Sequence, residues 1–355
     1  MFTHNVHSNN VQRYYLRRKK IVTIKDVLLL MLGFAAAVTL LRGSETPNLA
    51  PVPSADNDRN SQLYTNEDIS NALRASVRVF CFIISTKWGT EDKARHVHAT
   101  WAKRCSKHVF VTANKESYLP SLDFNLTETK ASLFKKIENT LKYIYNNELD
   151  KYDFFIKVDY DTYVVMDNLR FMLLPHSPED PLFFGCRFNL KEKLYMSGGA
   201  GYVLSREAVR RAVENGFGKL PQCAPSERPG EDIEIGTCMT ALNVTAVDTR
   251  DSQKRHRMLP LSPEKTLVPR RVSNFVKQYM VHNYTHGENC CSDYVISFHY
   301  VESNMMYVLE SLFYKIRRVS PLDLRQLGLD GSNGDLISAL KAYSINQSVD
   351  SSIVK

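Results

Sequence analysis

The chain has 355 residues, 43% of them hydrophobic, and a formal net charge of +8. That length and apolar content support a large core and exclude wholesale disorder. The charge does not point to nucleic acid: residues 1–42 carry seven Lys or Arg against Asp26 alone, +6 of the total, and the remainder shows no basic stripe of the kind that tracks phosphates.

The basic leader precedes Val27–Leu41, 15 residues without a charge, which Ile21 to Ile24 extend toward the N-terminus. At about 1.5 Å rise per residue, residues 21–41 span roughly 30 Å, the thickness of a bilayer core. Lys25 can snorkel to the interface. Positive charge before the run predicts a cytoplasmic tail over 1–20 and a single-pass anchor over 21–42, with the rest on the far side. A cleaved signal peptide is the alternative, since Ala35-Ala36-Ala37 offers small residues, but the basic leader is long for one. Residues 43–76 are rich in Pro, Ser, Asn and Asp and read as a flexible stem.

A globular domain is expected over 77–320. Val77–Ile84 is a buried strand by length and β-branched content, 91–104 a helix, and His108–Thr112 the next strand. Leu133, Ile137, Leu141 and Ile144 step by three or four, giving an amphipathic helix over 131–148. Asp153–Val158 is a third strand. This alternation implies an α/β fold with a mainly parallel sheet, whose ligands gather at the carboxyl ends of the strands. The tail, 321–355, is polar-rich and reads as loosely ordered. Seven cysteines without a CxxC pair give no support to a zinc cluster. Sequons at Asn125, Asn243, Asn283 and Asn346, together with the anchor, favour the secretory pathway, where disulfides persist.

The third strand ends in KVDYDTY, residues 157–163. In an extended segment Asp159 and Asp161 face one side and Tyr160 the other. Two hard oxygen ligands on one side suit Mg²⁺ or Mn²⁺; the motif alone also reads as a solvated polar turn. Ser197-Gly198-Gly199-Ala200-Gly201-Tyr202 places glycines before an apolar strand, where backbone can approach a ligand closely, and it is no P-loop, since no G-K-[ST] follows. Glu231 and Asp232 read as acids in a first helical turn, where the dipole favours them.

KVDYDTYVVMDNLR, YMSGGAGYVLSREAV, GEDIEIGTCM and CCSDYVISFHYVE, preceded by HVHATWAKRC, resemble the ordered blocks of the core 1 β-1,3-galactosyltransferases of glycosyltransferase family 31, relatives of the Fringe proteins. The resemblance spans about residues 77 to 317. It implies a GT-A nucleotide-sugar domain and an inverting, Mn²⁺-dependent transfer of galactose from UDP-galactose to O-linked GalNAc on glycoprotein Ser or Thr. It also implies a type II Golgi membrane enzyme with a lumenal catalytic domain, in a family that often forms homodimers. Residue by residue, Asp159, Asp161 and His299 match the metal site. Lys157, Ser85, Gly198, Gly199 and Tyr300 fall on the donor side, and Tyr202 and Phe275 on the acceptor side. Asp232 matches the general base, with Glu231 the alternative. The family pattern pairs Cys81 with Cys105 and Cys223 with Cys238. Adjacent Cys290 and Cys291 could form a strained vicinal bridge, and Cys186 is left over for an intermolecular one.

The chain departs from that pattern at three places. Ser85-Thr86-Lys87 replaces a Gly-Pro turn, Tyr160 replaces a middle aspartate, and Val268 to Phe275 keeps only Phe275 where family members carry several aromatics, Trp included, that hold the acceptor. Two rival readings follow: a β-1,3-glycosyltransferase for another acceptor such as a glycolipid, and a catalytically silent paralogue that binds or chaperones other glycosyltransferases. Retained Asp159, Asp161, Asp232 and His299 argue against the silent paralogue.

Overall fold

The computed structural model describes residues 66–349 apart from 87–89, 113–117, 128, 226–229, 270, 317–335 and 347. The expected cytoplasmic tail, the anchor over 21–42 and the stem up to residue 65 lie outside the described residues. Among the described residues no helix is long and apolar enough to cross a membrane.

The strands in chain order are β1 (Val79–Ile84), β2 (Lys107–Thr112), β3 (Ser121–Asp123), β4 (Phe154–Asp159), β5 (Tyr163–Val164), β6 (Leu182–Gly185), β7 (Arg187–Leu190), β8 (Lys193–Met196), β9 (Tyr202–Ser205), β10 (Thr245–Asp248), β11 (Met258–Leu259) and β12 (Ser297–Phe298). Seven form one sheet in the order β10-β6-β9-β4-β1-β2-β3. All its pairings are parallel except those of β9, which runs antiparallel to β4 and β6. The expected mainly parallel sheet is therefore present. β1 is buried along its whole length, as a continuous apolar run in the middle of a two-sided sheet must be.

The pleat divides the core. Cys81, Ile83, Phe154, Ile156 and Val158 face one cluster; Phe80, Phe82, Ile84 and Phe155 face the other. The helix Lys130–Asn147 covers the second face with Phe134, Ile137, Leu141 and Ile144. Its start is fixed by a capping box in which Thr129 Oγ1 accepts from the Ser132 N–H and Ser132 Oγ accepts from the Thr129 N–H. The helix expected over 91–104 is a succession of short helical turns over Thr90–Arg104.

Two expectations need correction. The end of the stem is a helix, Asn66–Ser76, and the tail contains another, Leu336–Asn346. Leu73 and Leu340 pack with Phe171, and Ser344 Oγ donates to the Phe171 carbonyl. The first helix has a narrow apolar stripe, Ile69 and Leu73, that bulk composition hides.

Cys81–Cys105 and Cys223–Cys238 are bonded as the resemblance implied, and Cys290–Cys291 form a vicinal bridge with Cα atoms 3.7 Å apart. Cys186 is free but buried, and burial pushes its thiol pKa up. Its expected intermolecular role is thereby corrected: a core thiol cannot reach a partner chain.

Candidate active site

β4 ends at Asp159, beside Ile84 at the end of β1. The chain then turns rather than running on extended: the Thr162 N–H donates to the Asp159 carbonyl at 3.0 Å. The period-two reason for grouping Asp159 with Asp161 is thus replaced by a turn, which brings the two carboxylates together all the same. β5 follows at once and pairs antiparallel with β12, which runs parallel to β11. This small sheet delivers His299. Its N–H donates to the Leu259 carbonyl at 3.2 Å, and the Val301 N–H donates to the Asp161 carbonyl at 2.8 Å.

One ligand atom from each of Asp159, Asp161 and His299 lies within 4.8 Å of the others. His299 Nε2 is 3.4 Å from Asp161 Oδ1 and 3.8 Å from Asp159 Oδ2. All three side chains are partly exposed. Two carboxylates and an imidazole in a half-open cluster fit an Mn²⁺ or Mg²⁺ ion that keeps positions for a phosphate.

The glycine segment reaches this point because β9 is antiparallel to β4. Lys157 pairs with Tyr202, which puts residues 198–201 at the carboxyl end of β4. A Cβ on Gly199 would lie 2.0 Å from His299 Cε1, so only glycine lets the imidazole into place. The Gly199 carbonyl accepts from Thr162 Oγ1 at 2.9 Å.

The acids of the GEDIE segment open the helix Glu231–Ala241. Asp232 is partly buried; Oδ2 accepts from the Gly198 N–H at 3.1 Å and Oδ1 from the Ile233 N–H at 3.0 Å. Burial pushes its carboxyl above the usual range, against the pull of those N–H groups and Lys157. Glu231 is buried and its oxygens are both engaged, by Tyr202 Oη at 2.5 Å and Lys157 Nζ at 3.1 Å. Burial raises its pKa to about 7. Both acids have both oxygens hydrogen-bonded, but Glu231 is buried and held by side chains, whereas Asp232 is partly exposed and held by backbone N–H groups.

Three further expectations change. Lys157 is fully buried and bonds Asp159, Glu231 and the Gly198 carbonyl, so it does not meet a phosphate. Burial opposes its charge, but Asp159 and Glu231 outweigh burial and hold its pKa above the usual range. Tyr202 is fully buried and cannot touch an acceptor; its hydroxyl serves Glu231. Ser85 lies just beyond β1 with its side chain fully buried and its N–H donated to Val111. Tyr300, by contrast, stands open at the rim. It is 48% exposed, has a φ of +55° and stacks on His299 with ring centroids 3.7 Å apart. Gly198 lies between Glu231, Lys157 and Asp232. Phe275 lies on the helix Asn274–Tyr279, with its side chain outside the description. Sequence reasoning missed the Lys157–Glu231–Tyr202 contacts. The signal was a lysine inside an otherwise buried strand.

Residues 76–312 match the Fringe-like family model, a span that contains every one of these site residues. The chain belongs to the Fringe-like glycosyltransferases. It is 36% identical over 308 residues to glycoprotein-N-acetylgalactosamine 3-beta-galactosyltransferase 1 of Xenopus laevis, covering 83% of this chain and 84% of that one. A beta-1,3-glucosyltransferase of Mus musculus is 27% identical over 170 residues, 47% of this chain and 34% of its own. Chondroitin sulfate synthase 3 of Homo sapiens is 30% identical over 133 residues, 34% of this Fringe-like chain and 14% of the synthase.

Proposed function

We propose that this glycosyltransferase transfers galactose from UDP-galactose, with inversion, to the 3-hydroxyl of O-linked GalNAc on glycoprotein Ser or Thr. The observation that carries this reading is the meeting of Asp159, Asp161 and His299 near Asp232, in a chain similar along most of its length to a galactosyltransferase of that acceptor class. Asp159, Asp161 and His299 would hold Mn²⁺, which when bound neutralises charge on the diphosphate leaving group. Asp232 takes the proton from the acceptor hydroxyl. A single displacement inverts the anomeric carbon and calls for no carboxylate nucleophile. His299 is kept in line by Gly199 and by the Tyr300 ring stacked on it. The basic leader and apolar run support a type II arrangement in the Golgi membrane, with residues 43–355 lumenal.

The segment before Phe275 supports a second reading of the acceptor. After Pro269-Arg270, where family members carry several aromatics, only Phe275 remains, and upstream of it Lys265 Nζ lies 5.8 Å from the ring centre of the exposed Tyr300. That rim suits an acceptor with less ring stacking than a GalNAc glycopeptide offers, such as a glycolipid.

The test is incubation of the purified protein with UDP-galactose, Mn²⁺ and a GalNAc-bearing peptide. A β-1,3-linked galactose product supports the first reading. Metal-dependent hydrolysis of UDP-galactose without transfer supports the second. Neither activity from folded protein contradicts both and leaves the silent binding partner.

A further inference from the structure

Lys157, Tyr202 and Glu231 share one buried cluster. Lys157 and Tyr202 are opposite each other in the β4/β9 register, so their side chains emerge on the same face of the sheet. That face is otherwise apolar: Phe155, two residues before Lys157, and Leu204, two after Tyr202, both belong to its core. The helix Glu231–Ala241 packs there through Ile235, Cys238 and Met239. Glu231, its first residue, enters the same layer. Burying two charges and a phenol in an apolar layer is unfavourable unless each is matched.

Here each is matched. An ammonium has three N–H donors. Those of Lys157 meet Asp159 Oδ1 at 2.9 Å, Glu231 Oε2 at 3.1 Å and the Gly198 carbonyl at 3.3 Å. Glu231 Oε1 takes the Tyr202 hydroxyl at 2.5 Å. Nothing on Lys157 is left for a ligand. What it does to Asp159 is specific. It occupies Oδ1, while Oδ2 is the oxygen that faces His299 Nε2, at 3.8 Å. At its other end Glu231 is chain neighbour to Asp232, whose Oδ2 bonds the Gly198 N–H, and the carbonyl of that same glycine accepts from Lys157.

We propose that Tyr202, Glu231 and Lys157 are a positioning set that ties the metal-binding carboxylate to the base. Lys157 takes one oxygen of Asp159 and leaves the other as a single, aimed metal ligand. Glu231, held by Tyr202, holds Lys157 and with it the spacing between Asp159 and Asp232. The inference rests on the reading of Asp159, Asp161 and His299 as a metal site and of Asp232 as the base. A point-charge ammonium fits three convergent oxygens, which a flat guanidinium cannot match, so Lys157→Arg does not substitute.

The experiment is a titration of Mn²⁺ by electron paramagnetic resonance, with UDP present, on the wild-type chain and on Tyr202→Phe, Glu231→Gln and Lys157→Met, together with kcat for galactose transfer. Partners one step behind a metal ligand typically change affinity by about 10–100-fold. The expected order of weakening is Tyr202→Phe, then Glu231→Gln, then Lys157→Met, with kcat falling in the same order. The Glu231→Gln, Lys157→Met double variant should be little worse than Lys157→Met alone, because one chain of contacts is cut in two places. A merely structural role would lower the number of Mn²⁺ sites through lost folded protein, without changing the affinity of those that remain. If Lys157→Met does not fold, Tyr202→Phe, which removes one hydroxyl, decides the matter. Wild-type Mn²⁺ affinity and kcat in both Glu231→Gln and Tyr202→Phe overturn the inference while leaving the metal site standing. Absence of Mn²⁺ binding by the wild-type protein overturns the metal reading itself.

Discussion

The two ends of strand β4 are both crowded with charge, and they use it in opposite ways. At the amino end Asp153 bonds Arg78 at 2.7 Å and Arg206 at 2.8 Å, Arg206 reaches on to Glu179, and nearby Lys107 bonds Glu148 at 2.5 Å. Each acid there has a cation and each cation an acid. At the carboxyl end Asp159, Asp161, Glu231 and Asp232 gather around one ammonium, Lys157, and one imidazole, His299. Balanced charge ties elements together. Surplus negative charge, kept partly open in Asp159, Asp161 and Asp232, is unfavourable for the fold and makes sense only with a cation and a proton to receive. That asymmetry, more than the presence of acids, marks the working end of the sheet.

The contrast can be broken most severely by removing divalent metal. Excess chelator should abolish transfer, and Mn²⁺ should restore it; full turnover in chelator would sink the metal role. Next in size is Gly199→Ala. The added methyl would overlap the His299 ring, so metal affinity should fall by about 10–100-fold with the fold retained. Unchanged affinity would mean that the imidazole has room to move and does not hold the ion. At the amino end, Asp153→Asn should leave kcat and metal affinity alone and lower stability by about 1–2 kcal/mol, seen as a small drop in the denaturant midpoint. A comparable loss of activity there would erase the distinction between the ends.

The smallest effect is one of pH. His98 Nδ1 and His108 Nε2 lie 2.9 Å apart, and burial, followed by His98, pushes the His108 pKa down to about 4. A base whose pKa is depressed by folding gives stability that is present above 6.5 and lost as the pH falls through 4. The melting temperature should therefore drop across that window, and His108→Gln should flatten the drop by a few degrees, roughly. An identical profile in the variant would show that the histidine pair does not contribute.

The sequence reveals those parts of the molecule whose signal is local. β1, β2, β4 and the helix Lys130–Asn147 follow from continuous apolar runs or a 3.6-residue period. Asp159 and Asp161 are visible because they end such a run. The antiparallel course of β9 leaves no local trace, yet it brings Gly199 to His299 and Tyr202 to Lys157. The helices Asn66–Ser76 and Leu336–Asn346 were hidden for a related reason. Leu73 and Leu340 bury in one small cluster with Phe171, across more than 250 residues of chain. Lys157, Ser85 and Tyr202 were assigned to substrate from their place in motifs. Burial decides otherwise, and burial is a property of the fold.

The most direct test of the account is the turnover of Asp232→Asn, measured beside its affinity for UDP in Mn²⁺. The substitution keeps the side chain's size and removes the proton acceptor. The account predicts kcat lower by about 10²–10⁴-fold with UDP affinity unchanged. Near-normal turnover would contradict it and would show that the surplus acids at the end of β4 do not include the base.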